Sequence, residues 1–84
     1  MPYIRGLTAD QRERQEIHRI AEIILTGLNE YRGRKNLTKK DFAEFIGVTP
    51  NTYGEWLRSG ADKAQFSVLV RAAMRCGLSI DVSI

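Results

Sequence analysis

Three side chains in the stretch GVTPNTYGEWLRSG, residues 47–60, have the chemistry needed to read the base edges of DNA. Asparagine can pair bidentately with adenine, arginine can pair with guanine, and glutamate can accept from the cytosine amino group. Asn51, Glu55 and Arg58 supply these groups on one side of a helix that advances about 100° per residue. Glu55 has two open interpretations, since it can read a base or pair with Arg58 three residues on, and both can hold.

A basic segment precedes this stretch. Residues 32–40 (RGRKNLTKK) hold five Lys/Arg and no acid, whereas the other 75 residues carry eight basic and ten acidic groups. A local cationic patch indicates a polyanionic partner, although a solvated basic loop is the alternative. Free backbone amides in the first turn of a helix also favour phosphate. The predicted phosphate contacts are Arg34, Lys35, Thr38, Lys39 and Lys40.

The sequence offers no chemistry for an enzyme, a metal site or a cofactor. It has no phosphate-cradling glycine loop, no His/Cys metal spacing and no nucleophile beside a plausible base. Cys76 and His18 are the single residues of their types, so both are predicted to be structural. One cysteine excludes an intrachain disulfide and indicates a reducing compartment. No apolar run has membrane-spanning length and the N-terminus lacks a signal-peptide core, so we expect a cytoplasmic protein without a membrane partner.

The elements that must position these residues are mostly helices. The chain has 84 residues, of which 43% are apolar, and this indicates one domain with a modest core. After an N-terminal arm (1–8), the Thr8 to Gln11 spacing of a capping box predicts a long helix over 9–33, stopped by Gly33. Its apolar residues share one face: Ile17, Ile20, Ala21, Ile24, Leu25, Leu28 and Tyr31. Ile23 lies off that face and Gly27 lies inside the helix, and either residue can mark a second contact surface. The alternative is that Ile23 is a tolerated exposed residue and that Gly27 lets another backbone come close.

Residues 38–60 have the pattern of a helix, a tight turn and a second helix. Thr38 is a predicted N-cap, and an apolar cluster follows at Phe42, Ala43, Phe45 and Ile46. Thr49 and Pro50 then begin a helix that Gly60 ends, with Tyr53, Trp56 and Leu57 toward the core. A fourth helix is predicted over 62–76, with Phe66, Leu69, Val70 and Ala73 on its apolar side. In the same helix, Arg71 and Arg75 lie four residues apart, and they belong either to a solvated edge or to a secondary phosphate contact.

The last six residues change from helical spacing to strict alternation, with Ile80, Val82 and Ile84 on one face. This alternation predicts a short C-terminal strand over 79–84. A lone strand leaves its backbone unpaired, so it needs either the segment around Ile4 or the same strand of a second subunit. Ile80, Val82 and Ile84 are therefore the preferred dimerisation residues, and the long first helix is the alternative dimer element.

The segment FAEFIGVTPNTYGEWLRSG, residues 42–60, resembles the helix-turn-helix of the lambda-repressor and Cro-like (XRE-type) DNA-binding proteins. Ala43 matches the small residue where the two helices touch, Gly47 and Val48 match the turn, and Tyr53 and Trp56 match the buried face. A weaker resemblance extends over 22–78. It implies a mainly α fold of four to five helices, here with a long first helix and a short C-terminal β-strand. It also implies that Thr49 and Asn51, at the start of the second helix, lie closest to bases or phosphates. The predicted base readers are Thr49, Asn51, Thr52, Glu55 and Arg58.

The expected function is a sequence-specific transcriptional regulator of the repressor or Cro type, in a prokaryotic or phage-infected cell. One domain buries too little surface for operator affinity, so we expect a homodimer on a palindromic operator with half-sites about 34 Å apart. The alternative is a protein-interaction module on the same fold, such as an antitoxin or an anti-repressor. Gly54 and Glu55 on the outward face favour that alternative, and the basic segment opposes it.

Overall fold

The computed structural model describes residues 9–78, which contain four helices. These are α1 (Ala9–Lys35), α2 (Lys39–Ile46), α3 (Pro50–Ser59) and α4 (Phe66–Arg75). The described part of the chain therefore has the mainly helical fold that the sequence predicts. The predicted N-terminal arm (1–8) and C-terminal strand (79–84) lie outside the described residues.

The core lies between α1 and the three shorter helices. Its largest fully buried side chains are Tyr53, Phe42, Leu28 and Ile46. The apolar face of α1 is confirmed at its centre, where Ala21, Ile24, Leu25 and Leu28 are buried. The prediction is wrong at two edges of the core, because 44% of Ile17 and 61% of Phe66 remain exposed. Both residues border an open groove between α1 and the start of α4, where no further helix covers them among residues 9–78.

Three helices end in the same backbone motif, which places a left-handed residue after the last helical turn. Asn36, Gly47 and Gly77 have φ values of 55°, 87° and 72°. After α1, the Asn36 amide donates to the Gly33 carbonyl (3.2 Å) and the Leu37 amide to the Arg32 carbonyl (3.1 Å). This is the Schellman pattern of crossed hydrogen bonds. The predicted stop at Gly33 is therefore wrong, because Asn36 tolerates the left-handed region and ends the helix three residues later.

The fourth helix begins at Phe66, four residues later than the predicted start at residue 62. Residues 61–64 form a turn instead, closed by a hydrogen bond from the Ala64 amide to the Ala61 carbonyl (3.1 Å). Asp62 lies in this turn, and its Oδ2 atom accepts a hydrogen bond from His18 Nδ1 on α1 (2.8 Å). This contact joins the turn to α1 across 44 residues of sequence.

Gly27 on α1 was predicted to allow the close approach of another backbone. In the structure it lies against a side chain. A Cβ atom built at Gly27 would lie 2.9 Å from Leu78 Cδ1. Leu78 follows Gly77 in the motif that ends α4, and its amide donates to the Ala73 carbonyl (2.9 Å). The missing side chain therefore lets the end of the described chain pack against α1.

Replacing Gly47 with alanine is expected to lower the free energy of unfolding by about 1–2 kcal/mol, because an L-residue is strained at a left-handed φ. The new Cβ would also lie 2.7 Å from Arg75 Nη1, which donates to the Phe45 carbonyl at the end of α2 (3.2 Å). Urea denaturation measures the change. Gly33→Ala is the matched control, since Gly33 is helical and its Cβ would meet nothing within 4 Å. If Gly47→Ala and Gly33→Ala change the free energy of unfolding equally, the left-handed conformation of Gly47 is not a source of strain.

Candidate nucleic-acid interface

The inner face of α3 is held firmly against α1 and α2. Tyr53 and Trp56 are buried, and the Tyr53 ring meets the Phe42 ring edge to face at 5.3 Å between centroids. The Tyr53 hydroxyl donates a hydrogen bond to Asn29 Oδ1 on α1 (2.5 Å). Burial raises the pKa of Tyr53, and the adjacent Arg32 charge acts in the opposite direction. The hydroxyl therefore keeps the proton that it donates to Asn29.

The N-terminus of α3 is capped as the sequence predicts. Thr49 is the N-cap residue, and its Oγ1 accepts from the Thr52 amide (3.1 Å), while Pro50 occupies the first turn. The Thr49 hydroxyl in turn donates to Thr52 Oγ1 (2.9 Å). Both hydrogen-bonding functions of the Thr49 side chain are thus used within the helix start. Thr52 still has its own hydroxyl hydrogen for an outside acceptor.

The outer face of α3 carries three of the predicted base readers, Asn51, Glu55 and Arg58, and all three are exposed. Arg58 donates to Glu55 through a direct ion pair, so the pairing that the sequence left open is present in the free protein. Both side chains are more than half exposed, and water screens such pairs strongly. The pair can therefore open when either group meets a stronger partner.

Gly54 lies on the same exposed side of α3 as these residues. A Cβ atom at this position would meet nothing within 4 Å, so the glycine is not required by packing inside the domain. Its absence of a side chain lowers the surface of α3 beside Glu55. A flat or narrow ligand surface could approach the α3 backbone closely at this point.

The basic segment separates into one structural arginine and four outward cations. Arg32 Nη1 donates to the Leu37 carbonyl (3.1 Å) and so closes the loop between α1 and α2. Arg34 and Lys35 lie in the last turn of α1, whereas Lys39 and Lys40 lie in the first turn of α2. All four are exposed. Lys35 Nζ also lies 5.8 Å from the centroid of the Tyr31 ring, a cation–π distance.

The start of α2 adds backbone donors to this cationic surface. Thr38 is the N-cap, and its Oγ1 accepts from the Asp41 amide (3.1 Å), as predicted. The Phe42 amide donates to the Thr38 carbonyl (2.9 Å). The amides of Lys39 and Lys40 precede these groups, and a helix provides no internal partner for its first amides. Two lysine side chains and two N–H groups thus share one helix end.

Several contacts that position the site have no signal in the local sequence. Asn29 flanks the apolar stripe of α1 without any pattern that marks it as a partner for Tyr53. Arg75 had two open interpretations, and its guanidinium binds the Phe45 carbonyl at the end of α2. Two residues were predicted to be structural. His18 contacts Asp62 in the loop before α4. Cys76 is buried at the end of α4. Burial raises the pKa of the Cys76 thiol, which keeps it protonated and unreactive.

Residues 9–78 contain neither a metal-binding cluster nor a membrane-spanning helix. No group of His, Cys, Asp and Glu side chains in this range could hold a metal ion. None of the four helices combines the length and apolar character needed to cross a membrane.

Most of the described chain is similar to a known protein family. A family model described as Helix-turn-helix matches residues 28–82, from the second half of α1 to beyond the end of α4. No curated protein and no solved structure matches the chain. The family match covers more than half of the sequence and includes both helices of the predicted motif. The chain therefore belongs to the lambda-repressor and Cro-like helix-turn-helix family of DNA-binding regulators.

Proposed function

We propose that this protein regulates transcription by binding double-stranded DNA in a sequence-specific manner, with α3 in the major groove. One observation carries the proposal: Tyr53 and Trp56 hold α3 to the core while its opposite face remains exposed. In this family the second helix of the motif enters the groove and the first helix crosses the backbone. A regulator of this kind would act in the cytoplasm of a prokaryotic or phage-infected cell.

Base recognition in this proposal is assigned to Asn51, Glu55 and Arg58. Asn51 would pair with adenine, Arg58 with guanine, and Glu55 would accept from cytosine. The ion pair between Arg58 and Glu55 supports a joint role, because binding a G·C pair separates the two groups and gives each a new partner. Thr49 and Thr52 lie at the start of α3, where Thr52 has the spare donor for a base or a phosphate and Thr49 mainly fixes the helix.

Phosphate binding in this proposal is assigned to the surface that α1 and α2 form together. Its members are Arg34, Lys35, Thr38, Lys39 and Lys40. The free amides at the start of α2 favour an anion at the same place as the lysine side chains. Such contacts position a protein on DNA without reading sequence, and they make its affinity fall steeply with salt. The surface would therefore supply affinity while α3 supplies selectivity.

A homodimer completes the proposal. Few side chains on the outer face of α3 are suited to direct readout, so one copy would discriminate weakly among sequences. Two copies on a palindromic operator, with half-sites about 34 Å apart, would double the number of base contacts. The C-terminal residues Ile80, Val82 and Ile84 remain the preferred dimer element, and α1 remains the alternative.

The decisive experiment is a selection of binding sites from random duplex DNA at two salt concentrations. A dimeric reader should recover a short palindrome that persists at the higher salt concentration. Retention of DNA without any sequence preference would leave only the phosphate-binding part of the proposal. Failure to retain DNA at the lower salt concentration would reject the proposal.

Replacing Arg58 with alanine is expected to cost about 1–3 kcal/mol on the selected site and to relax selectivity at the matching base pair. The guanidinium fork is the group that reads guanine, so Arg58→Lys is the matched control. Lysine keeps the positive charge but lacks the guanidinium group that pairs bidentately with guanine. The affinity of the Arg58→Lys variant for unselected DNA should therefore stay close to that of the wild type. Titrations on the selected site and on single-base variants measure both effects. Equal selectivity of all three proteins would exclude Arg58 as a base reader.

A second function has one observation in its favour. Glu55 places a negative charge on the outward face of α3. The missing side chain of Gly54 leaves a shallow depression beside Glu55, which suits contact with another protein. The alternative is a protein-interaction module of this fold, such as an antitoxin or an anti-repressor. It predicts that changes at Asn51 and Arg58, and at Lys39 and Lys40, leave DNA retention unchanged. A response to either pair would favour the DNA-binding proposal.

A further inference from the structure

Gly54 lies in the middle of the ten-residue helix α3, where glycine is unfavourable. Glycine is one of the poorest helix formers, because its backbone loses more conformational freedom on folding than that of any other residue. Residues that weaken an element without improving its packing tend to lie at functional sites. The position of Gly54 therefore requires an explanation outside the stability of the helix.

The packing of the domain gives no reason for glycine at this position. Gly47 and Gly60, which end α2 and α3, have left-handed φ values of 87° and 84°, whereas Gly54 has a helical backbone. Gly27 makes room for the Leu78 side chain, which would lie 2.9 Å from a Cβ atom there. A Cβ atom at Gly54 would meet no packed neighbour within 4 Å in the described part of the chain. Alanine would therefore fit the free domain and would stabilise α3.

The surface around Gly54 is polar on one side and apolar on the other. Residues three and four positions apart are neighbours on the surface of a helix. Asn51 and Arg58 therefore border Gly54 on the exposed side of α3, and both are proposed base readers. Pro50 and Leu57 border it on the other side, where Leu57 is half-buried and packs against the core. The missing side chain leaves a shallow depression between these two pairs.

The chemistry of the major groove identifies the group that fits this depression. The base edges there present hydrogen-bond donors and acceptors and one apolar substituent, the 5-methyl group of thymine. An apolar methyl group suits the side formed by Pro50 and Leu57. Asn51 and Gly54 lie about 4.5 Å apart along the axis of α3, a distance comparable to the roughly 3.4 Å between stacked base pairs. The methyl group would therefore belong to the base pair that Asn51 reads or to its neighbour.

We propose that Gly54 is a specificity-determining residue, which admits the methyl group of a thymine against the backbone of α3. The inference rests on the proposed DNA-binding function and deepens it by naming a base that no side chain of α3 reads. A side chain at position 54 would fill the depression and hold α3 away from the bases. The contacts of Asn51 and Arg58 would then weaken as well, so the cost of the change would exceed that of one lost methyl contact.

Titrations of the wild type and of Gly54→Ala test this inference on the duplex that the binding-site selection recovers. Each thymine of the half-site is also replaced in turn by uracil, which pairs identically and lacks only the methyl group. The wild type should lose about fourfold in affinity at one of these positions, the effect of one buried methyl group.

The Gly54→Ala variant should bind the unmodified duplex about tenfold or more weakly than the wild type, because the two methyl groups compete for one space. On the duplex with uracil at the sensitive position, this loss should shrink at least about threefold, since the alanine methyl group occupies the vacated space. Such a departure from additivity identifies a direct contact between position 54 and that base.

Two controls separate this effect from a change in the fold. Thermal unfolding of Gly54→Ala should have a midpoint about 4–8 °C above that of the wild type, so weaker binding would not result from unfolding. Gly33→Ala adds the same methyl group at a helical position of α1 that is also open. Its affinity should stay within about twofold of the wild type on every duplex.

The outcomes distinguish this inference from the proposed function. Sequence-specific binding by the wild type that Gly54→Ala leaves unchanged would overturn the inference and leave the proposed function intact. A loss that is equal on every uracil duplex, or a selected half-site without thymine, would also overturn it. Failure of the wild type to bind any duplex would reject the proposed function, and the inference with it.

Discussion

Replacing Phe42 with alanine is expected to lower the free energy of unfolding by about 3–5 kcal/mol, the range for a fully buried aromatic side chain. Phe42 has no exposed surface, and its ring centroid lies 5.3 Å from that of Tyr53 and 6.2 Å from that of Tyr31. It thus joins α2 to α3 and to α1. The loss is a large fraction of the stability of a small domain. Urea denaturation followed by circular dichroism measures it.

Phe45→Ala is the matched control for this prediction. Phe45 belongs to the same aromatic group and stacks on Tyr31 at 5.7 Å, but 41% of it is exposed. Its removal takes less apolar area out of contact, so the cost should be clearly smaller than at Phe42. Equal losses at the two positions would show that Phe42 is not the center of the core. In either variant, DNA affinity should fall only as far as the folded fraction falls.

Replacing Lys39 and Lys40 together with glutamine is expected to weaken DNA binding evenly across sequences. If each lysine contacts one phosphate, the slope of log K against log salt should become shallower by about 1.8, because each phosphate contact contributes about 0.9. The two side chains lie at the start of α2, where the free amides also attract anions. Fluorescence anisotropy on specific and unrelated duplexes, at several salt concentrations, measures both the slope and the selectivity.

The control for this prediction removes the same charge elsewhere. Arg12 and Arg14 lie in the first turns of α1, roughly 30 Å along the helix from its basic C-terminal end. The double change Arg12→Gln and Arg14→Gln should therefore leave the slope nearly unchanged. A similar loss in both double variants would mean that net charge, and not the start of α2, controls binding. A change of selectivity in the lysine variant would contradict its assignment to phosphate.

The basic segment shows how far charge alone predicts a site. Its five cations are equivalent in the sequence, yet Arg32 donates to the Leu37 carbonyl and adjoins the buried Tyr53 hydroxyl. Arg32 therefore supports the fold, whereas Lys39 and Lys40 are free to face a ligand. Neutralising Arg32 would combine a stability effect with a binding effect. The lysines are the cleaner test of the proposed interface for this reason.

Much of the motif follows from short-range patterns. Thr38 and Thr49 were predicted as caps, and both accept the expected amide at 3.1 Å. Pro50 in the first turn of α3 and the buried pair Tyr53 and Trp56 were also predicted and are confirmed. The family match over residues 28–82 confirms the resemblance that these residues carry. The roles of individual side chains toward DNA stay predictions.

The errors have both local and tertiary causes. α1 continues past Gly33 because Asn36 adopts the left-handed conformation and joins the motif that closes the helix. α4 starts later than predicted, after a turn in which Asp62 accepts a hydrogen bond from His18 on α1. Phe66 is exposed because the described helices leave its side of α4 uncovered. A periodic pattern identifies the most apolar face of one helix, but it does not predict which neighbouring helices cover that face.

The sequence by itself determined the caps, the buried and exposed faces of α2 and α3, and the family of the chain. These features depend on residues within a few positions of one another, so their geometry is local. Only the tertiary structure decided that Tyr53 binds Asn29, that Arg75 closes α2 and that Leu78 packs on Gly27. These partners lie 24 to 51 positions apart, and folding alone brings them within contact distance. The same packing leaves 61% of Phe66 exposed on the side of α4 that the sequence predicts to be apolar, because no described helix covers it.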